Sequence, residues 1–358
     1  MNEPKTSPGL GAPPPGWTPP MADISWVRRK YLDIPYAGQS PNQRLDIYLP
    51  QEGEGPFPLL IHVHGGGFAF GDKRDDHMNA YLKALGWGWA ATSVEYRLSG
   101  EAPFPAAVLD CRSAVRYLRE NAAEYHLDPS RFAAIGGSAG GNLAAMLGMN
   151  VPNGAFPGEG DSGSYAAEPS VGAAMAQFGP MNFRTMDEQA RRNGVSNVDH
   201  DEPFSPESRY LGCPIPDASE ALCAAADPAS YAGPRMCPIY VQHGTRDRLV
   251  PYEQSVEFVR ALRERGVGER VSFQPLEGAD HEDKAFFTDE NLNHVRAFLE
   301  AVLGRETNDE AYTGPAPCIL SAAEPCRLRQ RSGAAKRRAH AGAYAFGSGP
   351  ARGQLQLF

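Results

Sequence analysis

The chain has 358 residues, of which 42% are hydrophobic, and a formal net charge of −9 at pH 7. This length and apolar content suit one large α/β domain with a sizeable core. No apolar run is long enough to cross a bilayer, and residues 1–20 are polar and rich in proline where a secretory signal needs an apolar segment. We therefore expect a cytoplasmic protein with no membrane span, and the acidic charge argues against a nucleic acid partner.

Both ends of the chain differ in composition from its middle. Residues 1–22 are rich in Pro and Gly, which predicts a flexible leader without a packed core. After residue 310 the chain contains seven Lys or Arg and a single acid, Glu324. Residues 305–358 are predicted to be a disordered basic tail, with a nucleic acid or membrane contact as the alternative. One domain is expected between these ends, over residues 23–304.

The cysteines do not predict a disulfide framework. They lie at positions 111, 213, 223, 237, 318 and 326, without a Cys-x-x-Cys pair or a regular spacing. We expect free thiols, as in a reducing compartment. A pairing of Cys213 with Cys223 across a loop stays open.

Short apolar runs alternate with longer helical patterns along most of the chain. Strands are predicted at residues 29–36, 44–49, 58–64, 90–96, 132–135, 172–178, 237–243 and 271–276. Helices are predicted at residues 76–85, 106–125, 142–149, 252–265 and 287–303. The first two strands read as a hairpin at the edge of the sheet. The alternation predicts a doubly wound, mostly parallel sheet with helices on both faces, in which ligands bind at the carboxyl ends of the strands.

Residues 181–236 interrupt this alternation. Their content of Pro, Ser, Asp and Arg predicts loops with one or two short helices. The segment directly follows the strand that comes after the glycine-rich turn described below, so we expect a small insertion that lies over the site as a partial lid. An ordinary surface insertion is the alternative.

The sequence Gly-x-Ser-x-Gly occurs once in a strand-to-helix context, at residues 136–140. In this pattern the serine sits on a sharp turn and its hydroxyl stands clear of the sheet. An apolar run precedes Ser138 and a run of helix formers follows it, as that turn requires. Ser138 is therefore predicted to be a catalytic nucleophile. A phosphate-binding loop is the alternative, but no Gly-Lys-Ser or Gly-Lys-Thr follows.

A serine hydroxyl needs a base to take its proton and a third group to orient that base. Asp247 follows one predicted buried strand, and His281 lies on the loop after the next strand. The chain order Ser, Asp, His is that of α/β-hydrolases. We predict a triad of Ser138, Asp247 and His281. The alternatives are that Asp247 caps a turn and that His281 has a structural role.

Acyl transfer also needs donors for the oxygen that becomes negative. His64 and three glycines follow a buried strand, which is an arrangement whose backbone N–H groups can approach an oxyanion. Gly66, Gly67 and Ala139 are the predicted donors. A plain tight turn is the alternative, but it leaves His64 unexplained.

Together these motifs resemble an α/β-hydrolase of the esterase/lipase kind, in the hormone-sensitive-lipase-like group and its branch of bacterial acetyl and feruloyl esterase-like proteins. The motifs are Arg44–Pro50, His62–Lys73, Val94–Leu98, Phe104–Asp110, Gly136–Asn142, Ser205–Ser208 and His243–Asp247. The resemblance covers residues 25–303. It implies the same triad and a structural role for Asp110 and for Tyr96–Arg97.

Two positions depart from the pattern of these relatives. Asp280 stands before His281 where relatives have glycine-rich sequence, and it adds a negative neighbour expected to raise the pKa of the histidine. Phe68 follows the glycines where relatives, including kynurenine formamidases, commonly have Trp. This second change weakens the formamidase interpretation.

The function expected from the sequence is that of a serine carboxylesterase that hydrolyses small acyl esters through an acyl-enzyme. Acetylated and feruloylated carbohydrates are candidate substrates, and Phe68 is expected to contribute to the acyl pocket. The mechanism requires no metal and no organic cofactor. An amidase, a peptidase or an arylformamidase on the same triad is the alternative, and a non-catalytic ligand-binding homologue is an alternative of another class.

Overall fold

The computed structural model describes residues 18–159 and 166–304. The predicted tail at residues 305–358 and residues 1–17 of the predicted leader lie outside the described residues, as do Cys318 and Cys326. The end of the leader differs from our expectation. Ala22 N–H donates to the carbonyl of Arg74, and Asp76 N–H donates to the carbonyl of Pro20, both at 2.8 Å. These backbone hydrogen bonds attach residues 20–22 to the domain.

One sheet of eight strands organises the part of the chain that the structure describes. The strands are β1 (Lys30–Pro35), β2 (Arg44–Tyr48), β3 (Phe57–Val63), β4 (Ala90–Val94), β5 (Leu127–Gly137), β6 (Ala173–Gln177), β7 (Ile239–Gly244) and β8 (Val271–Leu276). Their spatial order is β1-β2-β4-β3-β5-β6-β7-β8. Strands β3 to β8 pair in parallel, whereas β2 pairs antiparallel with both β1 and β4. The predicted edge hairpin and mostly parallel sheet are confirmed.

Helices cover both faces of this sheet, as predicted. They are α1 (Met78–Tyr81), α2 (Ala106–Glu120), α3 (Ala139–Gly148), α4 (Phe183–Arg192), α5 (Pro206–Leu211), α6 (Glu220–Ala226), α7 (Glu253–Glu264) and α8 (Asp289–Leu303). Side chains of β3 alternate between the two faces: Leu59 and Ile61 join the core beneath α2, α3 and α7, whereas Leu60 joins the core beneath α1 and α8. Burial on both faces explains why this strand is apolar except for His62.

Two predicted helices are shorter in the structure. The helix expected at residues 76–85 has one α-helical turn, α1, and continues as a 3₁₀-helix at Leu82–Trp87 that ends at Gly88 in a left-handed conformation (φ +77°). Helix α2 ends at Glu120, five residues early. The side chain of Asn121 donates to the carbonyl of Tyr117 (2.8 Å), and such a local bond competes with further helix formation.

Residues 181–236 contain three short helices, α4, α5 and α6, where we expected one or two. Each helix begins after a capping residue, Asn182, Ser205 and Ser219 respectively. The side chain of each capping residue accepts a hydrogen bond from a backbone N–H of the first turn. Such caps satisfy donors that a helix leaves unpaired at its start. Ser205 and Ser219, two of the polar residues that we interpreted as loop signals, are therefore helix caps.

Two expectations from composition concern membranes and thiols. No helix in the described ranges has the length and apolar character needed to span a bilayer. Cys111, Cys213, Cys223 and Cys237 are free thiols, as predicted. The pairing of Cys213 with Cys223 that we left open is not formed.

Candidate active site

The side chains of Ser138, Asp247 and His281 meet at the carboxyl ends of the parallel strands. Ser138 directly follows β5, Asp247 follows β7 and His281 follows β8. His281 Nε2 lies 3.0 Å from Ser138 Oγ, and His281 Nδ1 lies 2.7 Å from Oδ2 of Asp247. Residues 143 and 34 positions apart are thus joined in one hydrogen-bonded chain.

Ser138 occupies a strained turn between β5 and α3. Its backbone angles are φ +55° and ψ −127°, a region that residues with a side chain rarely adopt. The flanking glycines allow the turn, because a Cβ at Gly136 would lie 2.3 Å from the carbonyl oxygen of Gly140, and one at Gly140 would lie 2.1 Å from that of Val63. The side chain is thereby held at the head of α3, and the residue retains 7% exposure.

The carboxylate of Asp247 is fully buried and held from several sides. Its Oδ1 accepts the N–H groups of Leu249 (2.9 Å) and Val250 (2.8 Å), while His243 Nε2 lies 3.2 Å from Oδ2, the oxygen that His281 contacts. Burial alone would raise the pKa of Asp247, but the two histidines and these hydrogen bonds outweigh it and lower the pKa strongly. The group stays ionised near neutral pH.

The imidazole of His281 is nearly buried, with 9% of its side chain exposed. The ring of Phe178 meets it edge to face at 4.9 Å between centroids. Burial alone would lower the pKa of His281, but Asp247 outweighs it with help from Glu282 and Asp280, so the pKa is raised above its ordinary value of 6.5. Such an imidazole can accept and return a proton near neutral pH.

The predicted oxyanion donors lie on the loop after β3 and at the start of α3. Gly66 and Gly67 have positive φ angles of +95° and +56°. The carbonyl of Gly66 accepts the N–H groups of Ala69 and Phe70 (3.0 and 3.1 Å). Within the described residues, the N–H groups of Gly66, Gly67 and Ala139 donate no hydrogen bond of their own. They are available to an oxygen brought to the site.

This loop also runs close to the nucleophile. A Cβ built on Gly65 would lie 3.4 Å from the Cβ of Ser138 and 3.1 Å from the carbonyl oxygen of Gly137. At Gly66 a Cβ would lie 2.2 Å from the carbonyl oxygen of Phe70. A side chain would be crowded at Gly65 and excluded at Gly66, so these glycines reflect close backbone approach rather than flexibility alone.

A buried ion pair supports the loop from below. His64 Nε2 lies 3.2 Å from Oε1 of Glu95, and the imidazole stacks on Tyr96 with 4.3 Å between ring centroids. The other carboxylate oxygen of Glu95 accepts the N–H of Lys73 (2.9 Å). Burial would lower the pKa of His64, but Glu95 outweighs it and raises that pKa. Sequence reasoning noted His64 and missed Glu95, although both lie within motifs of the resemblance.

Phe68 lies behind the loop, against the insertion. Its ring stacks on Tyr210 with 3.8 Å between centroids and meets Phe183 edge to face at 6.0 Å. Only 1% of the residue is exposed. The ring therefore packs in the core in this structure, and a contact between Phe68 and a substrate stays a prediction.

Asp110 and Arg97 form a structural pair at the start of α2. The guanidinium of Arg97 contacts both carboxylate oxygens (2.7 and 2.9 Å), and the backbone N–H of Arg97 donates to the same carboxylate (2.9 Å). Gln43 completes the set with a 2.8 Å bond to Oδ1. These contacts agree with the structural role that the resemblance implies.

The insertion is bonded directly to the loop that carries Asp247. His200 Nδ1 lies 2.9 Å from Oδ1 of Asp187 in α4, and its Nε2 lies 2.9 Å from the carbonyl oxygen of Leu249. The hydroxyl of Ser205, which caps α5, donates to the carbonyl of His200 (2.6 Å). No sequence signal pointed to His200, since these partners become neighbours only in the fold.

A cavity of about 560 Å³ opens beside His281. Its lining combines the insertion with both loops of the site: residues 193–197, Arg248, Leu249, Asp280 and His281. The residues that line this cavity include side-chain amide, hydroxyl, guanidinium and carboxylate groups.

The sequence is similar to a known family and to several known proteins. A family model described as BD-FAE matches residues 45–262. Esterase LipQ of Mycobacterium tuberculosis is 32% identical over 251 residues, which are 70% of this chain and 56% of LipQ. Carboxylesterase NlhH of the same species is 40% identical over 101 residues, 28% of this chain and 32% of NlhH. The chain spans 51% to 64% of the length of the relatives that it matches along most of its own length.

Solved structures give the same fold. A truncated form of a carbohydrate esterase from gut microbiota has 25% identity and a TM-score of 0.69, covering 80% of this chain and all of that chain. An esterase of Thermogutta terrifontis, Est2, has 23% identity and a TM-score of 0.60 over 81% of this chain and 97% of its own, a likeness of fold alone. Since the family model matches more than half of the chain, this α/β-hydrolase belongs to the BD-FAE family.

Proposed function

We propose that the protein is a carboxylic ester hydrolase that acts through Ser138 and an acyl-enzyme. The observation that carries the proposal is the continuous hydrogen-bonded chain from Ser138 through His281 to Asp247. The relatives and structures named above are esterases by their descriptions, which supports the same bond specificity. A non-catalytic homologue would have no need for this intact chain beside free oxyanion donors.

In the first half of the reaction, the hydroxyl of Ser138 attacks the ester carbonyl while His281 Nε2 accepts its proton. Asp247 stabilises the resulting imidazolium and holds the ring with Nε2 toward the serine. Gly66, Gly67 and Ala139 donate their N–H groups to the carbonyl oxygen as it becomes negative. The positive end of the α3 dipole adds to this stabilisation.

In the second half, the imidazolium of His281 protonates the alkoxide, and the alcohol leaves. Water then attacks the acyl-Ser138 carbonyl, with His281 as the base again, and the carboxylic acid departs. Both halves use only this chain's side chains and backbone, the ester and water.

We further propose small acyl esters of polyhydroxylated alcohols as the substrate class, with acetylated and feruloylated carbohydrates as candidates. The cavity beside His281 supports this choice, because amide, hydroxyl and charged groups suit a leaving group rich in hydroxyls. The description of one structural relative as a carbohydrate esterase points the same way.

We also propose that residues 181–236 act as a partial lid within one domain. The insertion contributes residues 193–197 to the cavity wall and packs Tyr210 against Phe68 behind the oxyanion loop. The insertion lines the cavity that we propose for the alcohol part of the ester, so it would select the leaving group. The hydrogen bond from His200 to the carbonyl oxygen of Leu249 fixes this lid at one end.

The test compares the wild type with Ser138→Ala on p-nitrophenyl esters of increasing acyl length, acetylated xylan and methyl ferulate. We expect hydrolysis that is highest for short acyl chains and absent in Ser138→Ala. Matched amides and N-formylkynurenine test the amidase, peptidase and formamidase alternatives. Equal hydrolysis by the variant would overturn the proposed mechanism, and turnover of amides above esters would overturn the bond specificity.

A further inference from the structure

The carboxylate of Asp280 joins the two loops that carry Asp247 and His281. Its Oδ1 accepts the backbone N–H of Arg248 (3.0 Å), the residue directly after Asp247. The same oxygen accepts the backbone N–H of His281 (2.9 Å). The resemblance marks this position too, because relatives have glycine-rich sequence where Asp280 stands.

The guanidinium of Arg248 completes the contact. Its Nε donates to Oδ2 of Asp280 at 2.7 Å, and a terminal nitrogen donates to the same oxygen. The two loops are also joined by a backbone bond from Arg246 N–H to the carbonyl of Ala279 (3.0 Å) and by the hydroxyl of Thr245, which accepts the N–H of Gly278 (2.9 Å). Among these contacts, those of Asp280 reach the residue next to Asp247.

An ordinary surface ion pair is the plain alternative, since the side chain of Arg248 is 81% exposed and such pairs contribute little to stability. The backbone bonds separate the two interpretations. A surface pair joins two side chains, whereas here one carboxylate also fixes the main chain on both sides of the hydrogen bond between Asp247 and His281. Displacing either loop would change that 2.7 Å contact.

We propose that Asp280 is a positioning residue, whose carboxylate holds the Asp247 and His281 loops at the separation that the reaction needs. The inference rests on the proposed ester hydrolysis by Ser138.

Asp280 also acts on the imidazole through its charge. The groups that act on His281 are the carboxylates of Asp247, Glu282 and Asp280, with the apolar ring of Phe178 on another side. Each carboxylate favours the imidazolium and so raises the pKa of His281. Removing the charge of Asp280 must therefore lower that pKa, and the acidic limb of activity must move to lower pH. Loss of the hydrogen bonds from Asp280 to the two loops should instead lower the maximum of kcat in the pH profile.

The experiment measures kcat, KM and the pH profile of p-nitrophenyl acetate hydrolysis for Asp280→Asn and Asp280→Ala. Asp280→Asn keeps an oxygen for the two N–H groups, so we expect a plateau near that of the wild type and an acidic limb at lower pH. Asp280→Ala loses both effects, and kcat should fall on the order of 10- to 100-fold, as for a misplacement of about 1 Å. The matched control is Glu264→Gln, another exposed carboxylate paired with an arginine, Arg260 (3.8 Å).

The experiment also includes the wild type and Ser138→Ala. The thermal midpoint of unfolding is measured for every variant. Hydrolysis that is absent in the wild type or kept in Ser138→Ala refutes the proposed function whatever Asp280 does. An active wild type with kcat and acidic limb unchanged in Asp280→Ala refutes the positioning role. Should Asp280→Ala not fold, Asp280→Leu decides, because leucine fills a similar space without an acceptor: unchanged kcat in that folded variant also refutes the positioning role.

Discussion

His200 donates from Nε2 to the carbonyl oxygen of Leu249 across 2.9 Å and so bonds the insertion to the loop of Asp247. Its other ring nitrogen lies 2.9 Å from the carboxylate of Asp187. Because both nitrogens face oxygen acceptors, both must carry protons, and the ring is an imidazolium. Burial would lower the pKa of His200, but Asp187 outweighs it and raises that pKa to about 9.

This pair predicts a pH-dependent stability. A histidine whose pKa rises on folding stabilises the protein fully below its unfolded pKa, and the contribution is lost as pH rises through the folded value of about 9. We expect His200→Gln to lower the free energy of unfolding by about 3 kcal/mol at pH 6 and by much less at pH 9.5. Urea unfolding at both pH values measures this. The control is the exposed His294→Gln, and an equal loss at both pH values would contradict the assignment.

Asp247→Asn should separate orientation from folding. The amide oxygen can still accept the N–H groups of Leu249 and Val250, so the thermal midpoint should change little. The amide cannot hold His281 in the tautomer that accepts the serine proton, and kcat should fall on the order of 10⁴-fold. Steady-state kinetics measures the loss. Asp128→Asn, which also keeps an acceptor for a backbone N–H, from Ser130, is the matched control.

Gly66→Ala should damage the oxyanion site. Its φ of +95° is unfavourable for alanine, and the new Cβ would lie 2.2 Å from the carbonyl oxygen of Phe70. The loop must shift, which removes a donor, and we expect kcat to fall on the order of 10²- to 10³-fold with a smaller change in KM. Gly266→Ala carries a similar φ of +77° with open space around its Cβ, so it should cost some stability and leave hydrolysis unchanged. Equal kcat in both variants would exclude the assigned donors.

The acidic limb of activity should report His281. Only the neutral imidazole accepts the serine proton, so kcat/KM must fall as pH falls through the pKa of His281. That pKa is raised above its ordinary value of 6.5 despite burial, chiefly by Asp247. We therefore expect the midpoint of the limb above pH 6.5 in a profile measured from pH 4.5 to 9. A profile that stays flat down to pH 5 would indicate a carboxylate base instead.

Sequence order was sufficient to predict the sheet and the three converging side chains, for a physical reason. Parallel strands end at one edge, so Ser138, Asp247 and His281, each placed after a buried strand, had to come near one another. Glycines at 66, 136 and 140 marked close backbone contacts before any distance was known. Fold and candidate triad thus follow from hydrophobic pattern and glycine spacing.

The supporting contacts could not be predicted, because they depend on how loops fold. The bond from His200 to Leu249 spans 49 residues, and the bonds from Asp280 to Arg248 span 32. Neither follows a periodic pattern. The contact of Phe68 has the same origin: Tyr210, which stacks on its ring, is supplied by the insertion 142 residues later in the chain.

The most direct measurement is the reaction of the folded protein with diethyl p-nitrophenyl phosphate, followed by mass spectrometry of the peptides and by the residual esterase activity. We expect one diethylphosphoryl group per chain, on Ser138, with activity lost in the same proportion and no labelling in Ser138→Ala. Full ester hydrolysis by protein phosphorylated at Ser138, or by Ser138→Ala, would contradict this expectation.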